Sequence, residues 1–176
     1  MDALTAIFER RSIRRYTGEP VGREKLLTLA KAGMAAPTSR DTRHFNFVLV
    51  DDEKIIEKLA EGLPYAKMLL TAKHAIVVLS DLEIAHGGAE TDYWIQDSCA
   101  AAENILIAAQ AMGLGACWTA AQPREDRVAF VRATLGLPEH VMPLCVIAVG
   151  ERAGENKPRD KFDPTHVFWN KWGQEE

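Results

Sequence analysis

Segments with helical and with strand periodicity alternate along this chain, which predicts a single domain of mixed helix and sheet. Three observations carry that reading. The run Ala75-Ile76-Val77-Val78-Leu79 is short and continuously apolar, as suits a strand buried on both faces. The segment 93–112 has the length of a helix but is apolar nearly all round, so it is buried on several sides. Finally, no repeat, low-complexity tract or Gly/Ser linker interrupts the 176 residues. At that length one core buries roughly 70% of the surface the unfolded chain exposes. Taken alone, the alternation suggests a parallel, doubly wound sheet.

The elements follow in order. Residues 2–10 read as a short helix in which Leu4, Ile7 and Phe8 share a face and Asp2 complements the N-terminal dipole. A second helix spans 23–35, with Leu26, Leu27, Ala30 and Met34 inward, and breaks before Pro37. Phe45 to Val50 alternates and is rich in β-formers, so it reads as a strand. An amphipathic helix follows from Asp52 to Glu61, with Ile55, Ile56 and Leu59 on its buried stripe. Gly113-Leu114-Gly115 ends the long helix, and Ala116 to Ala120 forms another strand. Pro123 opens a further helix at its first turn; this runs to Leu135 and stops at Gly136. Leu144 to Val149 is the last core strand. Beyond Gly150 the character changes: 151–176 mixes many charges with Phe162, Phe168, Trp169 and Trp172. The chain therefore divides into a core, 1–150, and an extension, 151–176, that docks on its own domain or on a second subunit.

Composition removes several classes of function. Apolar residues at 47% and charged residues at 26% exclude a largely disordered chain. A net charge of −4 speaks against non-specific nucleic-acid binding. No stretch approaches the roughly 20 apolar residues of a membrane span. The acidic start, Met1-Asp2-Ala3-Leu4, does not read as a secretory signal. Cys99, Cys117 and Cys145 are odd in number, far apart and without a C-x-x-C, which argues for a reducing cytoplasm.

Chemistry concentrates in Arg10-Arg11-Ser12-Ile13-Arg14-Arg15-Tyr16, where four arginines fall within six residues. Guanidinium groups grip phosphate in a bidentate way, and Ser12 adds a hydroxyl. If extended, the segment turns Arg10, Ser12 and Arg14 to one side and Arg11 and Arg15 to the other. A solvated basic patch is the alternative. A second anion site is offered by Lys157-Pro158-Arg159-Asp160-Lys161, where Arg159 and Lys161 face the same way if extended. Neither a P-loop nor a G-x-G-x-x-G precedes a helix. His44, His74, His86, His140 and His166 lack metal-binding spacing. Ser39 lies in no nucleophile elbow, and Cys99 falls within the apolar helix. With two basic clusters and no assembled nucleophile, base or metal, the pattern fits a protein whose reactive group is a bound phosphorylated cofactor.

These motifs together resemble the FMN-dependent nitroreductases in their short form. Arg10 to Tyr16 is similar to their R-R-S-[IV]-R-x-[FY] signature. Ala35-Ala36-Pro37-Thr38-Ser39 and Phe45 to Val50 resemble their A-P-[ST] loop and the strand after it. Ala100 to Ala109 with Gly113-Leu114-Gly115-Ala116-Cys117-Trp118-Thr119 resembles their central helix and G-L-G-x-x-W turn. Lys157 to Phe162, ending in Asn170-Lys171-Trp172, is similar to their K-P-[KR]-[DP]-K tail.

The resemblance implies an α+β fold: a mostly antiparallel central sheet flanked by helices, with the C-terminal tail extending onto the partner subunit of a homodimer. It implies that Arg10 and Ser12, within the cluster that includes Arg11, hold the FMN phosphate. Arg14 would reach N1 and O2 of the ring, and Arg159 and Lys161 would close over the phosphate. Pro37, Thr38 and Ser39 would lie along the flavin of the other subunit, and the backbone of Trp118, Thr119 and Ala120 would flank the ring near N5. A guanidinium at N1 stabilises the negative charge of reduced flavin and raises its potential. The activity implied is an NAD(P)H-dependent FMN oxidoreductase with a ping-pong cycle. It would take hydride from NADH or NADPH at N5 and reduce a nitroaromatic, quinone or similar conjugated small molecule. A flavin-binding sensor or sequestering module with little turnover is the alternative. The chain departs from the family at Asp41, which replaces Asn, and at Thr42-Arg43-His44-Phe45, which replace R-Q-P-W. Asp41 either faces the flavin and lowers its potential, or pairs with Arg40 or Arg43 and is neutralised.

Overall fold

Among the residues described by the computed structural model, 1–85, 93–154, 157 and 159–173, four strands form one sheet. His86 and Pro158, singled out above, lie outside them. The strands are β1 (Phe45–Val50), β2 (His74–Asp81), β3 (Leu114–Ala120) and β4 (Val141–Glu151), in the order β1-β2-β4-β3. Every pairing is antiparallel, so the fold is α+β and the doubly wound parallel sheet suggested by alternation alone is not formed. Periodicity identifies segments but carries no information about the direction in which the chain re-enters a sheet.

Among the described residues, seven α-helices surround the sheet: α1 (Ala3–Glu9), α2 (Arg23–Met34), α3 (Glu53–Gly62), α4 (Leu69–Ala72), α5 (Leu82–Ala85), α6 (Tyr93–Ala111) and α7 (Glu125–Leu135). The two short ones, α4 and α5, carry too few residues to show a helical period in the sequence. In β2, Ala75, Val77 and Leu79 point into a core with Ile56 and Leu59 of α3, Leu69 of α4 and Val128 and Val131 of α7. Ile76 and Val78 point the other way, to Leu26 and Leu29 of α2 and Ile105 and Leu106 of α6. Two buried faces explain why this strand reads as an unbroken apolar run. The segment 93–112 is apolar nearly all round for a related reason: α6 packs against α2, α1 and three strands.

Several boundaries differ from the sequence reading. Leu26, Leu29, Ala30 and Gly33 form the buried face of α2, whereas Leu27 and Met34 are exposed. The helix turns that way because Gly33 lets it approach α6 and β1 closely: a Cβ there would sit 3.0 Å from Ile105 and Phe47. Pro123 lies in the turn before α7, which begins at Glu125 with Arg124 as its cap. The last strand is longer than Leu144–Val149. Leu144 is an extra residue in the β2–β4 ladder, where Val78 pairs with Cys145 and Leu79 with Pro143, so β4 continues through a bulge. Asp2 and Asp52 cap α1 and α3, accepting the Thr5 and Ile55 amides at 3.1 and 3.0 Å.

Candidate functional site

The arginine-rich segment leaves α1 at Arg10 and lies along the outer edge of the sheet. Ser12 bridges Ala116 of β3 in parallel fashion, and Tyr16 bridges Arg152 just beyond β4. The Ile13 amide donates to the Ala116 carbonyl at 3.0 Å, and Thr17 donates to Glu151 at 2.9 Å. Two glycines make this approach possible. A Cβ on Gly115 would lie 2.7 Å from Ile13 Cγ2, and one on Gly150 would lie 2.8 Å from Tyr16 Cδ1. Ile13 and Tyr16 are the buried pegs, and Tyr16 Oη donates to the Ile13 carbonyl at 2.6 Å. The arginines between and beside them are thereby held at the surface.

Arg10 and Arg11 then meet the other end of the chain. They line a cleft of about 550 Å³ with Arg159 and Lys161, against the carboxylates of Glu9 and Asp160 and an apolar wall of Ile7, Phe8 and Phe162. Four cations stand against the two lining carboxylates and Glu103 of α6, whose Oε1 lies 2.8 Å from Arg10 Nε, so the cleft keeps a net positive charge. Arg10 Nε and Arg11 Nη2 are both buried and make no hydrogen bond, Arg10 being held by its ion pair with Glu103. Arg11 Nη1 donates to the Arg10 carbonyl at 2.8 Å. Buried guanidinium N–H groups that make no hydrogen bond in a cationic cleft are suited to an anion.

Arg14 does not line that cleft. It lines a second opening, of about 600 Å³, with Glu61, Tyr65, Lys67 and Met68. Tyr65 is 90% exposed and sits at φ 62, a left-handed backbone that a non-glycine residue adopts only at a cost. Sequence reasoning passed over Tyr65 and Lys67; the stop at Gly62-Leu63-Pro64 was the one available signal. Ser12 lies over Cys117, whose thiol is pushed up by burial, while Arg14, Ser12 and Arg10 pull it down more weakly. Next along β3, Trp118 packs on the α2/α6 side, Thr119 is buried, and the Ala120 carbonyl accepts from Arg127 Nη1 at 3.3 Å.

The Pro37-Thr38-Ser39 loop sits elsewhere. It leads into β1, about three strand spacings, some 14 Å, from β3, and the arginine segment lies beyond β3. None of its residues lines the cleft of Arg10 and Arg159. Ser39–Asp41 forms a 3-10 turn in which Arg40 and Asp41 are left-handed, as is Arg43 after it, at φ 55, 55 and 52. Asp41 pairs with Arg43, whose Nε and Nη2 donate to its two oxygens at 2.9 and 2.5 Å. The guanidinium holds this carboxyl below its usual range, so of the two alternatives for Asp41 the neutralised one is realised. Below the loop, a chain of contacts links the half-buried Ser39 and Asp97 to the buried His44 and Ser80. Asp97 Oδ2 accepts the Ser39 amide at 2.9 Å and faces His44 Nε2 at 3.0 Å, and Ser80 Oγ lies 2.9 Å from His44 Nδ1. No local sequence signal reveals this chain, because its hydrogen-bonded pairs are 36 to 58 residues apart.

Elsewhere, Asp81, Glu83 and His140 bring three ligand atoms within 4.8 Å of one another, although their sequence spacing shows no metal motif. Asp81 already caps α5, accepting the Glu83 amide at 3.0 Å. Among the described residues no helix is long and apolar enough to cross a membrane.

With this geometry in view, the chain can be compared with known proteins. The family model described as "Nitroreductase family" matches residues 7–63 and 60–151. A candidate NADH dehydrogenase/NAD(P)H nitroreductase of Methanothermobacter thermautotrophicus is 41% identical over 174 residues, 98% of this chain and 88% of that protein. The crystal structure of a candidate NADH dehydrogenase/NAD(P)H nitroreductase from Parabacteroides distasonis superposes with a TM-score of 0.91 at 44% identity, covering 97% of this chain and 98% of that one. An FMN-dependent nitroreductase from Clostridium difficile superposes with a TM-score of 0.86 at 30% identity, covering 96% and 99%. Matched across nearly its whole length in sequence and in fold, the chain belongs to the nitroreductase family.

Proposed function

We propose that the protein is an FMN-dependent oxidoreductase that uses NADH or NADPH to reduce a nitroaromatic, quinone or similar conjugated small molecule. The observation that carries this reading is the cleft in which Arg10 and Arg11 converge with Arg159 and Lys161, with two buried guanidinium N–H groups that make no hydrogen bond. A phosphate monoester supplies acceptors for those donors. When bound, FMN supplies the redox chemistry, accepting hydride from the nicotinamide at N5 and passing electrons to the acceptor in a ping-pong cycle.

The remaining roles belong to the chain. Arg10, Arg11, Ser12, Arg159 and Lys161 bind the phosphate. Arg14, joined by Lys67 in the second opening, places positive charge at the pyrimidine edge, where reduction adds negative charge. The backbone of Trp118, Thr119 and Ala120 borders the ring. Pro37, Thr38, Ser39 and Asp41 complete the site from a second subunit, because within one chain they stand on the far edge of the sheet. A homodimer also accounts for the exposed apolar groups of α1 and of the extension 151–176: Leu4 and Phe8 are 63% and 69% exposed, Phe162 and Trp172 73% and 91%.

The test is direct. Freshly purified protein, reconstituted with FMN, should be yellow and dimeric, and should bleach anaerobically on addition of NADH or NADPH. Electron acceptors should then restore the colour. Protein that stays colourless after FMN addition refutes the reading. Binding without bleaching would favour the sensor or sequestering module.

A further inference from the structure

We infer that His44 is a positioning residue for the reaction, holding the 37–43 loop in the shape it presents to the flavin. The inference rests on the flavin reading above, since it takes that loop to lie against FMN. Three left-handed residues, Arg40, Asp41 and Arg43, make the loop costly to hold. Such a segment keeps its shape only when its surroundings over-determine it.

His44 is the centre of those surroundings. It is 1% exposed and is the last residue before β1. Asp97 Oδ2, an acceptor, faces Nε2, so Nε2 carries a hydrogen and donates to it at 3.0 Å. A tautomer without hydrogen on Nε2 would set a ring lone pair against a carboxylate. Nδ1 lies 2.9 Å from the Ser80 hydroxyl, which can donate to it or accept from it. Ser80 is fully buried in β2, a strand paired on both edges, so the imidazole ties Asp97 of α6 to the interior of the sheet. Asp97 in turn accepts the Ser39 amide at 2.9 Å. The loop is held by its main chain, and the Ser39 hydroxyl is not consumed by the anchor. The sheet, the central helix and the loop are thus joined through one histidine, at a position where the family motif carries proline instead.

Four variants and two readouts test this. FMN affinity is measured by titrating apoprotein with FMN, and the visible circular dichroism of bound FMN reports its asymmetric contacts. Asp97→Ala removes the acceptor, and His44→Phe keeps a ring of similar size without polar atoms. Each should weaken FMN binding by about tenfold, Asp97→Ala because the Ser39 amide loses its acceptor and His44→Phe because Asp97 loses its donor, and should change the dichroic band. Asp97→Asn keeps an acceptor oxygen and His44→Gln keeps a donor to Asp97; both should recover affinity to within about threefold and restore the band. Unchanged affinity and dichroism in Asp97→Ala and His44→Phe would overturn the inference while leaving FMN binding intact. Equal losses in all four variants, with equally lowered thermal midpoints, would overturn it too, because the network would then serve only the core. Wild-type protein that takes up no FMN would refute the flavin reading itself.

Discussion

Replacing Arg10 with alanine probes the phosphate cleft most sharply. The Arg10 side chain is only 22% exposed, and its Nε lies 2.8 Å from Glu103 Oε1 in an ion pair. Truncation removes a charge-assisted bond to phosphate, an interaction that contributes about 1.5–3 kcal/mol. That corresponds to a rise in the FMN dissociation constant of about 12- to 150-fold. The loss has a second source. Glu103, 44% exposed, would face the phosphate with its partner gone, and solvent would screen that repulsion only in part. The double variant Arg10→Ala, Glu103→Gln should therefore bind FMN more tightly than the single one. Salt gives an independent check, since the Debye length at about 0.15 M is about 8 Å. Raising ionic strength should weaken wild-type binding more than binding by the alanine variant. Fluorescence titration of apoprotein with FMN measures all of this. An Arg10→Ala protein that binds FMN within about threefold of wild type would refute the assignment of Arg10 to the phosphate.

Other consequences follow from the packing and the charges. Gly115→Ala should push Ile13 off β3, where a Cβ would lie 2.7 Å from Ile13 Cγ2, costing about 1–3 kcal/mol in thermal or denaturant unfolding. Its FMN affinity should fall as well, since Ile13 sits between Ser12 and Arg14. Asp51 is held below its usual value of 3.8, first by its hydrogen bond with Arg23. A depressed carboxyl contributes stability that is complete above the unfolded value and is lost as pH falls through the folded one. Asp51→Asn should thus lower the thermal midpoint slightly at neutral pH, flatten the acid side of a plot of thermal midpoint against pH, and converge with wild type at low pH. Burial raises the Cys117 and Cys145 thiols, keeping both protonated at neutral pH. Mass spectrometry after iodoacetamide at pH 7 should find both unmodified in the native protein, and modified once it is unfolded.

Much of the molecule is legible in its residues because the relevant physics is local. The unbroken apolar run of β2, the alternation of β1 and the nearly all-round apolarity of α6 each reflect how many faces an element buries, and a one-dimensional pattern records that directly. The clustering of Arg10, Arg11, Arg14 and Arg15 is likewise plain in the sequence. What the sequence alone leaves open depends on distances through space. Strand direction is set by how helices return the chain, so alternation could not separate a parallel sheet from the antiparallel one observed. The distribution of the arginines between two openings follows from the burial of Ile13 and Tyr16 against two glycines. The Ser80–His44–Asp97–Ser39 chain was hidden because hydrogen bonds between remote residues leave no period behind. By itself, then, the sequence determined which segments are buried and where positive charge is concentrated. Only the tertiary structure decided which charges meet: the packing of β3 and the tail brings Arg10 and Arg11 to Arg159 and Lys161, while the width of the sheet keeps the 37–43 loop apart from them.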